Sequence, residues 1–390
     1  ARRPGAAAVK VPLNAPDLAS GLEEQYVLDA LRSGWVTGGA YVERFEEAFC
    51  RLTGRRYAVA CSSGTMALWV AAKALGLRIP REHEPEVDFL VSGAYTCDAV
   101  ANAALSVTGQ PPAILPVEAQ TWGLWVNALA SWLPGIGAHW KVAVVLAHIY
   151  GVPARDTLAI RTLCQAQGVP LIEDCSEAHG AMLNGKPVGS FGDVAVFSCR
   201  GEKLVSGGQL GVALTDDEGI AKRLRQYAES GLPSHRVRYW STVAGLNAQA
   251  GNLHAALACA QLERLPELVK ARVERHAGWR QRLAGLPGIE FQTPHGSPVW
   301  WVTAIVIGPE FTQMRVHDLA AGLAEAGIET RNGFYPLWML PHVGSDALIG
   351  ECPVSERLLE HLLVLPSGAG VDGAAQDYVV SEMLRLSGRA

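Results

Sequence analysis

Three short stretches hold residues whose types and spacing suit covalent chemistry on a bound cofactor. The sharpest is Phe197-Ser198-Cys199-Arg200-Gly201-Glu202-Lys203, with Lys203 five residues after Ser198 and just ahead of Gly207-Gly208-Gln209-Leu210-Gly211. The chain has only seven lysines (10, 73, 141, 186, 203, 222 and 270), and Lys203 is the one between two runs that read as buried strands. Burial disfavours the charged form of a lysine, and a neutral amine is what attacks a carbonyl to make an imine. The other six read as solvated surface charges, and the glycines after Lys203 suit a plain turn equally well.

The second stretch runs Leu171-Ile172-Glu173-Asp174-Cys175-Ser176-Glu177-Ala178-His179-Gly180. Two acids end an apolar strand, where a doubly wound sheet places its ligands. Side chains alternate along a strand, so Asp174 and Ser176 face the same way. A carboxylate there can pair with a protonated ring nitrogen, as pyridoxal phosphate (PLP) chemistry requires, and the small Ser176 lets a flat ring lie beside it. Capping of a following helix explains the same carboxylate without a cofactor. The third stretch, Cys61-Ser62-Ser63-Gly64-Thr65, lies between a strand and a helix. Gly64 permits close approach of the backbone to a ligand, Thr65 adds a hydroxyl, and the helix start offers free N–H groups to an anion. A helix cap needs only one of these residues. The order carries more than any member: an anion site, an acid after a strand, then a serine and a lysine.

These residues need elements to hold them. Short β-branched runs alternate with helical stretches through the first two thirds of the chain, which implies βαβ units and a mostly parallel sheet flanked by helices. Strands are expected at 57–61, 142–148, 169–174, 194–198 and 212–215, and helices at 66–75, 218–227, 253–262 and 268–286, with Pro266 able to open the last. A strand at 299–307 and helices at 316–326 and 354–362 form a second, smaller α/β unit. The division is placed near residue 265: residues 1–265 make the large unit and 266–390 the small one.

The 390 residues are 49% hydrophobic and 18% charged, with net charge −5, so nothing draws the chain to nucleic acid or anionic membrane. No apolar run is long enough to span a bilayer, and the stretch from Ala1 to Lys10 has two arginines without an apolar core after them, unlike a signal peptide. Eight scattered cysteines without a C-x-x-C pair fit reduced thiols in a cytoplasm better than disulfides or a zinc site, so no metal is expected.

The sequence resembles the PLP-dependent sugar aminotransferases of the DegT type, within the fold-type I group. The likeness runs through Ser33-Gly34-Trp35, SSGTMAL (62–68), AHIYG (147–151), EDCSEAHG (173–180), GKPVGSFGDVAVFS (185–198), Lys203, GLNAQAGNLHAAL (245–257), FYPLW (334–338) and CPVSERL (352–358). The resemblance implies that Gly64, Thr65 and Ser198 hold the cofactor phosphate, Asp174 pairs with the pyridine nitrogen and Ser176 underlies the ring. It implies that Lys203 forms the internal aldimine and shuttles a proton, so Lys203 and Asp174 are the catalytic pair. Asn247 would reach the phosphate of the neighbouring subunit, making a homodimer with its active site at the interface; a helix-entry cap explains Asn247 without a partner.

The departures from the family pattern fall around the ring and the substrate. Cys97 replaces an aromatic that stacks on the cofactor, a role Tyr95 could take. Glu177 replaces a common glutamine and could repel the cofactor's phenolate oxygen unless protonated. Gln209 and Leu210 interrupt the usual G-E-G-G, Gln249 replaces an arginine, Trp338 replaces a histidine, and 78–86 departs from a compact turn. Trp35, Tyr335 and Trp338 are candidates for substrate contact; the aromatic segments 122–125, 300–301 and 334–338 could line a pocket or simply pack in core or interface. The implied reaction moves an amino group from glutamate or glutamine to a ketone of a sugar or cyclitol, in antibiotic or glycan biosynthesis, with FSCRGEK closer to the cyclitol type. Elimination on the same cofactor and an inactive scaffold are the alternatives.

Overall fold

A computed structural model describes residues 10–81, 84, 86–137, 139–233 and 239–389. Most of the first ten residues, and 82, 83 and 85 of the 78–86 linker, therefore lie outside the described residues. A seven-stranded sheet is built from β1 (Tyr57–Cys61), β2 (Val87–Gly93), β3 (Ala113–Leu115), β4 (Trp140–Ala147), β5 (Leu171–Asp174), β6 (Val194–Ser198) and β7 (Gly211–Thr215). The strand order is β1-β7-β6-β5-β4-β2-β3, and only β7 runs against its neighbours. The fold is thus the expected α/β arrangement, with a mostly parallel central sheet.

Alternation along the strands divides the core. Ala195 and Phe197 pack with Phe45 and Phe49 on one face, while Val194 and Val196 pack with Leu68 and Val100 on the other. Beyond the expected elements the structure adds helices Leu22–Arg32, Ala40–Thr53, Ala99–Thr108, Val126–Trp132, Thr157–Gln167 and Gly373–Leu386, and strands that include β2 and β3. Ala40–Thr53 is amphipathic, with Tyr41, Phe45, Phe49 and Thr53 buried, so its 3.6-residue period was present in the chain.

A second sheet, antiparallel throughout, joins β8 (Ile289–Phe291), β9 (Thr303–Ile307), β10 (Arg331–Asn332) and β11 (Leu362–Leu365) in the order β8-β9-β11-β10. Helices Leu265–Leu283, Val316–Glu325 and Gly373–Leu386 share a core with it through Trp279, Leu319, Leu323, Val379 and Met383. Val11 joins that core and bridges to Ile328, so the start of the described chain packs on the C-terminal unit. The strand expected at 299–307 begins only at Thr303. Trp300 is the reason: its φ of 50° breaks the extended run, and its ring stacks on His276 at 3.6 Å. Among the described residues no helix is long and apolar enough to cross a membrane.

Candidate active site

The carboxyl ends of β4, β5 and β6 open on a cavity of about 260 Å³, lined by Gly64, Thr65, Cys97, Asp174, Ser176, Glu177, Ser198 and Lys203. Eight of the residues singled out from sequence therefore meet in one place. Thr96, His148, Arg200, Glu202, Gln209 and Phe334 complete much of the wall.

The loop 62–65 rests on the sheet with almost no clearance. A Cβ on Gly64 would lie 2.5 Å from Ser198 Cβ, and one on Gly211 would lie 2.4 Å from the Ser63 carbonyl carbon. Both glycines are thus required by close approach rather than by a turn. Ser63, in extended conformation, accepts a hydrogen bond from Met66 N (3.2 Å) and caps the helix Gly64–Ala74. The helix start, Thr65 and Ser198 converge on one end of the cavity, a donor set suited to a phosphate.

Asp174 ends β5, is 6% exposed, and accepts from Ser176 N (3.0 Å). Its neighbour Glu173 faces away from the cavity. Its carboxylate accepts from Gly189 N (2.6 Å), Phe191 N (2.8 Å) and Gly192 N (3.0 Å), and bonds His148 Nε2 (3.0 Å). Burial would raise this carboxyl, but the hydrogen bonds from His148, Gly189 and Gly192 hold it below the ordinary value. His148 Nδ1 accepts from Ala154 N (2.9 Å), which leaves the proton on Nε2. His148, Glu173 and Cys175 lie close enough to suggest a metal cluster, yet both His148 nitrogens and both Glu173 oxygens are engaged by the protein.

Lys203 sits in the loop between β6 and β7, with its N–H on Arg200 O (2.8 Å), and is 9% exposed. Its Nζ is 3.1 Å from Glu177 Oε1 and 3.6 Å from the centre of the Trp301 ring. Trp301 Nε1 in turn donates to Glu202 O (2.7 Å), as does Asn14 Nδ2 (2.6 Å). Glu177 is therefore tied to the lysine, an arrangement the sequence reading did not contain. Cys97 is wedged at the wall, and burial pushes its thiol up to about 12, so it acts as a neutral, soft contact. Tyr95 does not take its place: it is fully buried, its hydroxyl bonds Tyr150 OH (2.9 Å), and it receives Phe334 N (3.2 Å). The aromatic that does line the cavity is Phe334, stacked on Tyr150.

Four of the named candidates are not brought to the cavity. Asn247 is exposed, bridges Glu229 by its backbone, and precedes the helix Asn252–Glu263 by five residues, too far to be its cap. Trp35 is 69% exposed, on a segment held by Asn252 through Trp35 O and Val36 O. Tyr335 is 55% exposed, and Trp338 packs into the core with Leu337 and Leu340.

The chain matches the DegT/DnrJ/EryC1/StrS aminotransferase family over residues 19–384. It belongs to that family. A GDP-perosamine synthase of Vibrio cholerae is 33% identical over 363 residues, covering 93% of this chain and 95% of that protein. Another, from Caulobacter vibrioides, is 31% identical and covers 96% and 97%. Among solved structures, DesI with its TDP-sugar product superposes with TM-score 0.86 at 26% identity, over 99% of this chain and 96% of the other. DesV of S. venezuelae with a ketimine intermediate gives 0.84 at 25%, over 98% and 100%. The DegT-type chain is thus a PLP-dependent aminotransferase of a family that aminates sugars. Its residues fit the cofactor: a cradle that one Cβ on Gly64 would fill, hydroxyls around it, a carboxylate at the strand end and one buried amine.

Proposed function

We propose that this enzyme moves an amino group from glutamate or glutamine to the ketone of a nucleotide-linked sugar. The observation that carries it is the placement of Lys203 Nζ in the same cavity as Asp174 and the 63–65 loop. Bound there, PLP supplies the electron sink that lets an amino group leave one carbon and join another. In this reading Gly64, Thr65 and Ser198 hold the phosphate, Asp174 holds the ring nitrogen in its protonated form, and Lys203 is the amine that attaches and moves the proton. Ser176, Cys97 and Phe334 bound the ring, which water would otherwise reach. The GDP-perosamine synthases among the relatives favour a nucleotide-linked sugar over a free cyclitol. Synthesis of a surface glycan in the cytoplasm is the setting this suggests, in keeping with eight unpaired cysteines.

The division of labour within the chain follows the proposed boundary near 265, where the helix Leu265–Leu283 begins. The functional unit is a homodimer, in which the exposed Asn247 of one subunit completes the phosphate site of the other. Trp35 and Tyr335, both exposed in the single chain, are assigned to that shared mouth.

The test is the visible spectrum of the purified enzyme before and after L-glutamate or L-glutamine. A band at roughly 410–430 nm that the donor bleaches establishes the first half of the reaction. Lys203→Ala should lose the borohydride-reducible attachment. A band that no donor shifts would move the assignment to an elimination, and no band with added PLP would remove the cofactor reading.

A further inference from the structure

We propose that Glu177 is the counter-ion that sets the protonation of Lys203 and receives its proton, a second catalytic carboxylate in this site. The inference rests on reading Lys203 as the reacting amine. Glu177 is fixed by one oxygen and free to act with the other. Its Oε2 accepts from Tyr150 N at 2.7 Å, and its Oε1 faces Lys203 Nζ at 3.1 Å, with both side chains about nine-tenths buried. The Tyr150 amide is presented by an unusual turn: Tyr150 has φ 57° and Gly151 has φ 89°. A Cβ on Gly151 would lie 2.8 Å from Trp301 N and 2.9 Å from Glu177 O, so the turn, the glutamate and the tryptophan are packed as one unit. Lys203 Nζ thus lies between a carboxylate oxygen at 3.1 Å and an aromatic ring centre at 3.6 Å.

An ammonium has no lone pair, so Lys203 must lose a proton before its nitrogen can bond to carbon. Glu177 Oε1 is within hydrogen-bond reach to take it. The N–H bond breaks as an O–H bond forms on Oε1, the ion pair becomes a neutral amine beside a neutral acid, and no net charge is created in the cavity. The proton returns by the reverse path when the amine is released. A glutamine at this position could hold the Tyr150 amide but could not accept the proton.

The other groups facing the pair are poorly placed for this task. Burial raises the Tyr95 and Tyr150 hydroxyls well above their ordinary value, and it pushes the Cys97 thiol up to about 12. Burial, with the charge of Lys203, lowers His179 to about 3. Asp174 turns an oxygen to Ser176 N, and Arg331 adds a second cation 5.0 Å from the Trp301 ring.

The experiment is brief reductive methylation of the full-length apoenzyme across a pH series, with the extent at Lys203 read by peptide mass spectrometry. Only the neutral amine reacts, so the midpoint reports the proton on Nζ. Glu177→Gln should lower that midpoint by about one pH unit or more, with the fold checked by thermal unfolding. Glu177→Asp keeps the charge but withdraws it by one methylene, so it should give a smaller downward shift and decides the matter if the glutamine variant does not fold. A midpoint unchanged or raised in the folded variant overturns the proposal. The measurement needs neither cofactor nor turnover: a donor that fails to bleach the visible band would sink transamination and leave this result standing.

Discussion

Gly64 shows how little space separates the residues of this site. Its missing Cβ is what allows the helix Gly64–Ala74 to start directly over Ser198. Gly64→Ala must push the loop away from the sheet or move Ser198, and either change spoils a phosphate site at that end. We expect its PLP dissociation constant to rise about tenfold or more, and the unfolding midpoint to fall as well, since Gly64 is buried against Ser198. Equal cofactor affinity in variant and wild type, measured by fluorescence titration, would remove Gly64 from the cofactor site. Glu177 belongs to the same scale. Beside Lys203 it is half of an ion pair.

At the scale of elements, the end of β5 splits two consecutive acids between two tasks. Asp174 turns into the cavity, and Glu173 turns the other way to gather the amides of the 189–192 loop and the His148 ring. Glu173 thereby pins the 189–192 loop and the residue after β4 to one strand end. Glu173→Gln would set an amide N–H₂ against these donors and should cost about 2–4 kcal/mol in urea unfolding. Its carboxyl is held below the ordinary value of 4.5 in the folded chain. The unfolded chain therefore takes up this proton first as pH falls. The stabilisation is complete above about 4.5 and is lost progressively below it. Urea midpoints measured on either side of that value should fall on the acid side in wild type, and fall less in the variant. A wild-type profile flat through this range would show that Glu173 is not the anchor.

For the molecule as a whole, the proposed dimer makes a complementation test possible. Lys203→Ala and Asn247→Ala chains, each of low activity alone, should regain activity when refolded together, because a mixed dimer holds one intact site. Random pairing predicts about a quarter of the wild-type sites; no recovery would place Asn247 outside the partner's site. Much of the molecule was legible beforehand. Strand ends at Cys61, Asp174 and Ser198 and the lysine after them follow from local rules: apolar runs stop where polar ligands begin, and glycine marks close approach. Gly64, Thr65, Asp174, Ser176, Ser198 and Lys203 follow from those rules, while Cys97 and Glu177 come only from the family resemblance. The helices Leu22–Arg32 and Ala40–Thr53 were equally legible, since their apolar period is local. Other features were not written in any local stretch. Trp301 reaches Lys203 from about a hundred residues away, after a bend at Trp300 that β propensity argues against, and Tyr150 lends Glu177 an amide through a left-handed turn. The sequence by itself determined the α/β class and the order of the chemical groups, since both depend on spacing along the chain. Tertiary structure alone decided which charges meet, because a contact between distant segments is set by packing that no local pattern encodes.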